Sequence, residues 1–202
     1  SNRIAKFLAD KSIGKEDVVA VYMDRSYCAV VTVLGILKAG AAYLPIDMKT
    51  PVQRANFMAD ISNAKFVMRD SKEGNEEIKL PLIDAHDVIN DNSIPKDYIP
   101  ENVIEERLLA YILFTSGSTG LPKGAMVEHI GMNNHLSEKI RILNLTDSSI
   151  VANSASISFD VSVWQMLAPL CVGATSVIFQ ESALLNVKSF RNRSEEHTSE
   201  LQ

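Results

Sequence analysis

Between residues 18 and 68 the chain alternates three short apolar runs with two longer stretches of helical period, and few folds accept that order. Residues 18–23, "VVAVYM", form a β-branched run too short for a core helix and suited to a buried strand. In "SYCAVVTVLGILKAG", Tyr27, Val30, Val31, Leu34 and Leu37 recur at helical spacing, with Lys38 in the last turn and Gly40 placed to end the helix. "AAYLPID" predicts a second strand, stopped by Pro45. Thr50 as N-cap and Pro51 at the first helical position predict a second helix, which Asn63 closes before the strand "KFVM". Strands separated by helices must pair in parallel, because the connection crosses over the sheet. The expected class is α/β, with mixed, largely parallel sheets flanked by helices.

The remaining segments extend this pattern. The first 17 residues predict an amphipathic helix that begins at Ser1 in mid-pattern, as if something preceded it. Residues 71–106 are polar and contain Pro81, Pro95 and Pro100; they predict mostly connection, with a short strand at "LPLID". "LLAYILF" is the strongest strand of the chain, and "GAMVEH" a second extended run. "IGMNNHLSEKIRILN" predicts a helix with Leu136, Ile140 and Leu143 on one face. A strand at "SSIVANSA", a helix at "VSVWQMLAPLCVG" ended by Gly173, and a strand at "ATSVIF" follow. Residues 193–202, "RSEEHTSELQ", show no apolar period and match the translation of a common sequencing adapter, so they are set aside as a non-native tail.

Composition narrows the function classes. The 202 residues are 46% hydrophobic and 22% charged, enough for a real core. No apolar run approaches the length of a bilayer span, which argues against a membrane protein. A net charge of −5 argues against nucleic acid as a partner. Cys28 and Cys171 have no CxxC spacing and predict reduced thiols in a cytoplasmic protein. No His/Cys/Asp set has metal-ligand spacing; His129 is expected at a surface strand end, and His86 and His135 in solvent or packing roles.

Residues 115–124, "TSGSTGLPKG", stand between the two strongest extended runs. Four hydroxyls, from Thr115, Ser116, Ser118 and Thr119, are packed into a short loop. Gly117, Gly120 and Gly124 would let the backbone take positive φ and approach a ligand closely. Successive bare N–H groups form an anion-binding concavity, and Lys123 adds a mobile point charge. The combination suits a polyphosphate. It is not a P-loop, which needs Gly-Lys-Ser/Thr followed by a helix, nor a GxGxxG dinucleotide turn. A flexible linker is disfavoured by the apolar strands on both sides. Asp160, in "SISFDVSVW", stands between a run of small residues and an apolar helix. A carboxylate there is costly unless paired; a helix N-cap is the alternative reading, and both can hold.

With these residues in view, "LAYILFTSGSTGLPKGAMVEH" resembles the phosphate-binding signature of the adenylate-forming (AMP-binding) enzymes. "LKAGAAYLPID" and "FDVSVWQMLAPLCVGAT" are similar to motifs that flank it in the adenylation domains of nonribosomal peptide synthetases. The resemblance covers residues 1–192 and only the front part of such a domain. It implies a ligase that joins an amino acid to ATP, releases pyrophosphate, and passes the acyl group to a phosphopantetheine thiol on a carrier domain. Carrier and condensation domains of a multidomain synthetase are the implied partners. Thr115, Ser116, Gly117, Ser118, Thr119, Gly120 and Lys123 would hold the β- and γ-phosphates. Asp160 would bind the substrate ammonium. Phe159 would lie beside its carboxylate, and Val161 and Trp164 would line the side-chain pocket; Asp-Val-Trp is reminiscent of small hydroxylated substrates such as serine. Mg²⁺ would use ligands outside this sequence, as would the catalytic lysine of the C-terminal lid, so the chain as given is expected to be inactive and unstable alone. An acyl-CoA or aryl-acid ligase and a non-catalytic, degenerate module are the rival readings.

Overall fold

Alternate residues of the first strands point into two different cores, which is what a sheet covered on both faces requires. The computed structural model describes residues 1–70, 77–100, 104–116 and 122–180. In β1 (Val18–Tyr22), Val19 and Val21 face one core while Val18, Ala20 and Tyr22 face the other. The strand lies at the centre of a six-stranded sheet of order β4-β3-β1-β2-β5-β6. Here β2 is Ala42–Ile46, β3 Ala64–Arg69, β4 Leu82–Asp84, β5 Leu109–Ser116 and β6 Pro122–Glu128. All neighbours pair in parallel except β5 and β6, which form an antiparallel hairpin.

The first core is built with α1 (Asn2–Asp10), α2 (Tyr27–Lys38), α4 (Ala85–Asn90), α5 (His129–Leu143) and α6 (Asp160–Cys171). The second is closed by α3 (Val52–Ile61), through Ala55, Met58 and Ala59. A separate parallel pair, β7 (Ile150–Asn153) and β8 (Thr175–Ile178), is joined by α6 as its crossover. The α/β class and the largely parallel sheets follow the expectation from the strand–helix alternation.

Several local expectations are corrected. Tyr27 opens the apolar stripe assigned to α2 but is exposed; Cys28, Ala29, Val31, Thr32, Val33, Gly35 and Ile36 are buried instead. The helix is covered on two sides, by the sheet and by α1, so a single stripe does not describe it. Gly35 permits the close approach of α1: a Cβ there would stand 2.4 Å from Ile4 Cβ. Pro45 does not end β2, which continues to Ile46. Successive residues of a strand direct their N–H groups to opposite neighbours. The ladder to β1 is unbroken through Ile46, whereas that to β5 registers only at Tyr43↔Tyr111. The missing donor is therefore absorbed on the β5 side.

At α3 the capping position is Pro51 rather than Thr50, and no side chain caps it. Asn63 closes the helix at φ +52°, and Gly40 and Gly173 follow α2 and α6 at φ +80° and +76°. Leu143, expected on the buried face of α5, is exposed, while Met132 and Leu136 carry the packing. The stretch read as connection contains α4, started by Asp84 Oδ1, which accepts the N–H of His86 at 2.9 Å.

Candidate functional site

The hydroxyl- and glycine-rich loop is rooted in the β5–β6 hairpin. Its two ends are fixed by register: Thr115 pairs with Lys123 and Ser116 with Pro122. Directly opposed residues of an antiparallel pair share one face, so the Thr115 hydroxyl and the Lys123 ammonium stand on the same side of the hairpin. Both are exposed. Ser116 is the last residue of β5; Gly117, Ser118, Thr119 and Gly120 lie outside the described residues. Gly124 has a different role from the one its position suggested. It sits within β6 without positive φ, and a Cβ there would meet Ile112 Cγ2 at 2.9 Å and the Phe114 ring at 3.2 Å. Its small size makes room for those two side chains of the facing strand.

The second set of expected residues gathers at the start of α6. Phe159 is the N-cap residue and is 65% exposed. Asp160 is the first helical residue; its Oδ1 accepts the neighbouring Val161 N–H at 2.9 Å, and it makes no side-chain cap. Asp160 is exposed, which removes the expected burial cost of an unpaired carboxylate. Val161 is exposed, and Trp164, one turn after Asp160, is half-buried with Lys139 Nζ 5.8 Å from its ring centroid. A negative charge at this end of the helix is favoured by the helix dipole.

Electrostatics connect the two sets. Tyr111, on β5 four residues before Thr115, has its phenol pKa raised by burial and then by the charge of Asp160. Its ring lies 5.5 Å from that of Tyr43 on β2. Tyr43 is 1% exposed, its hydroxyl has no hydrogen-bond partner among the described residues, and burial raises its pKa strongly. The strand that carries the loop thus also carries a phenol that feels the charge of Asp160.

The segment between β7 and α6 is held by side chains that carried no assigned role in the sequence. Gln165 Oε1 accepts the N–H groups of Ser154 and Ala155 at 3.0 and 2.9 Å. Ser162 Oγ donates to the carbonyls of Ile157 and Phe159 at 3.1 and 2.6 Å. Asp47, immediately after β2, accepts from Ser156 Oγ, and its own N–H donates to Ser158 Oγ at 3.0 Å. The residue type at Asp47 was visible in "LKAGAAYLPID"; its partners, more than a hundred residues away, were not.

A cleft of about 330 Å³ opens at the carboxyl ends of β1, β2 and β3. Asp24, Arg25, Ser26, Asp47, Asp70 and Ser156 line it, and none of the expected site residues among the described residues does. His129 is not at a surface strand end: it is the first residue of α5, 7% exposed, and burial lowers its pKa. Among the described residues no group of three His, Cys, Asp or Glu could hold a metal ion. No described helix is long and apolar enough to cross a membrane.

Comparison with known proteins accounts for this arrangement. The family model for AMP-binding enzymes matches residues 1–198. The nonribosomal peptide synthetase TES of Alternaria alternata is 33% identical over 98% of this chain and 4% of its own length. Gramicidin S synthase 1 of Brevibacillus brevis is 32% identical over 94% of this chain and 18% of its own length. The chain therefore spans less than a fifth of these relatives. Among solved structures, the synthetase FmoA3 with bound α-methyl-L-serine-AMP superposes with a TM-score of 0.77 at 28% identity, covering 88% of this chain and 20% of that one. Holo-AB3403, a four-domain synthetase bound to AMP and glycine, shares the fold with a TM-score of 0.79 at 22% identity, over 95% of this chain and 14% of that one. The chain belongs to the AMP-binding enzyme family, within its adenylation domains of nonribosomal peptide synthetases.

Proposed function

We propose that this sequence is part of an adenylation domain that activates an amino acid with ATP for nonribosomal peptide synthesis. The carrying observation is that one strand, β5, bears both Thr115, at the root of the phosphate-type loop, and Tyr111, whose phenol pKa is raised by burial and by the charge of Asp160. In this reading Thr115, Ser116, Gly117, Ser118, Thr119, Gly120 and Lys123 cradle the β- and γ-phosphates. The substrate carboxylate attacks the α-phosphorus, and the bond to pyrophosphate breaks. Both reactants are anions, so positioning and charge neutralisation carry the catalysis. Lys123 neutralises the leaving group, and its exposure leaves it free to reach a ligand.

Asp160 pairs with the substrate ammonium, beside Phe159, Val161 and Trp164. Closure over the site would dry that pair, so an acid lacking the amine would leave Asp160 uncompensated. This favours an amino acid over the plain acyl or aryl acids of related ligases. The acyl group then passes to a phosphopantetheine thiol of a carrier domain, with AMP as the leaving group. Carrier and condensation domains of a multidomain synthetase are the partners. No described residues form a site for Mg²⁺, and none is assigned to it. Asp160, Val161 and Trp164, together with the α-methyl-L-serine-AMP bound by FmoA3, support a small hydroxylated amino acid such as serine as the candidate substrate.

The test is amino-acid-dependent ATP–pyrophosphate exchange by the complete protein bearing this sequence. Lys123→Ala is expected to reduce exchange at least about tenfold, equivalent to about 1.4 kcal/mol, while leaving the melting temperature unchanged. Exchange that ignores every amino acid, or that survives Lys123→Ala intact, would overturn the reading.

A further inference from the structure

Asp160 is positioned by a short segment, residues 154–159, whose hold on the rest of the molecule comes from two directions. The bonds from Gln165 and Ser162 originate on α6 itself, so they fix the segment to the helix but not the helix to the sheet. Asp47 supplies the second direction. It follows β2 directly, and β2 pairs with both β1 and β5 in the six-stranded sheet.

Both carboxylate oxygens of Asp47 are used. Oδ2 accepts from Ser156 Oγ at 2.5 Å, and Oδ1 accepts the Lys49 N–H at 2.9 Å, which fixes the side chain's own orientation. The backbone N–H of Asp47 adds the bond to Ser158 Oγ. Ser158 is two residues from Asp160. The tether thus runs from the sheet that carries the hairpin to the doorstep of the residue assigned to the ammonium.

We propose that Asp47 is a positioning residue for amino acid recognition, locking the 154–159 segment to the sheet so that the Asp160 carboxylate is held in place at the start of α6. The proposal rests on the reading of Asp160 as the ammonium partner. Asp47 touches neither substrate; it acts through Ser156 and Ser158. Its loss lets α6 and its leading segment shift relative to β5, which weakens amino acid binding without touching the nucleotide. The bond from Ser156 Oγ to the carboxylate is charge-assisted, and its removal is worth about tenfold in affinity; the backbone bond to Ser158 stays in any side-chain variant.

The experiment is steady-state pyrophosphate exchange by the complete synthetase module, varying amino acid and ATP separately. Asp47→Ala is expected to raise the amino acid KM about tenfold, with kcat and the ATP KM within about twofold of the parent. Ser156→Ala, which removes the same bond from the other side, raises it by a comparable factor and decides the matter if Asp47→Ala does not fold. Asp47→Asn, which can keep its amide oxygen on the Lys49 N–H and donate its amide N–H to Ser156 Oγ, recovers most of the loss. In an Asp160→Asn background, Asp47→Ala adds nothing further to the amino acid KM. If Asp160→Asn raises that KM but neither Asp47→Ala nor Ser156→Ala does, or if they raise the ATP KM equally, the positioning role falls and the role of Asp160 stands. If Asp160→Asn itself leaves the amino acid KM unchanged, the ammonium reading falls and the positioning role with it.

Discussion

Replacing Gln165 by Met measures how firmly the segment before α6 is anchored to the helix. Gln165 Oε1 is the shared acceptor for two backbone N–H groups, those of Ser154 and Ala155. Met keeps the length of the side chain but offers only a weak thioether acceptor. Each donor left without a partner costs about 1–3 kcal/mol when dry. Gln165, Ser154 and Ala155 are half-buried, so water restores part of the loss and the lower end applies. That gives about 1 kcal/mol per donor and about 2 kcal/mol for the pair. For a domain of this size the midpoint should fall by about 4–8 °C. Gln165→Glu keeps two acceptor oxygens and makes the same bonds charge-assisted, so it should recover most of the stability. Calorimetry on the adenylation domain that carries this sequence reads both. A Gln165→Met midpoint within about 1 °C of the parent, or equal losses for Met and Glu, would refute the reasoning.

Other expectations concern packing and protonation. Gly35→Ala gains about 1 kcal/mol of helix propensity but places a Cβ 2.4 Å from Ile4 Cβ, so urea midpoints should fall; Gly131→Ala, whose Cβ meets only Val127 Cγ1 at 3.4 Å, should raise them by that propensity gain. His129 is buried with its pKa lowered, so the unfolded chain takes up a proton first as pH falls. Stability should therefore decline below about pH 6.5, by at most about 1.4 kcal/mol per pH unit from this group, and His129→Gln should flatten that slope in pH-dependent denaturation. Pro169, within α6, cannot donate to the Gln165 carbonyl, which instead accepts from Ser176 Oγ at 3.2 Å. Ser176→Ala should cost about 1 kcal/mol by chemical denaturation, and less in a Pro169→Ala background where the backbone donor returns.

The alternation of runs in the first 70 residues made the sheet legible, because parallel pairing follows from the crossover connections alone. The hydroxyl-rich loop is proposed as a binding element from its composition, and the ends of the hairpin that carries it were legible as strands. Other features were hidden for identifiable reasons. Helix α4 is six residues long and begins on Asp84 within a polar stretch, so its two buried residues, Ala85 and Val88, give no period to detect. Gly124 looked like a ligand-facing glycine because the side chains it accommodates, Ile112 and Phe114, lie on the other arm of the hairpin. His129 was misplaced because strand β6 stops one residue earlier and α5 starts without a linker. Asp160 was expected just before α6 and is instead its first residue, which removes the N-cap reading, and its exposure depends on tertiary surroundings that spacing does not encode.

The bond between Ser156 and Asp47 spans 109 residues and that between Asp47 and Ser158 spans 111. Contacts so distant in sequence form late, since the loop they close has to be paid for in chain entropy before they give anything back. During synthesis Asp47 emerges long before Ser156 and Ser158 exist. The corner that presents Asp160 is thus among the last parts of the molecule to take shape, and a ribosome pause or chaperone acting between the two segments would be felt there first.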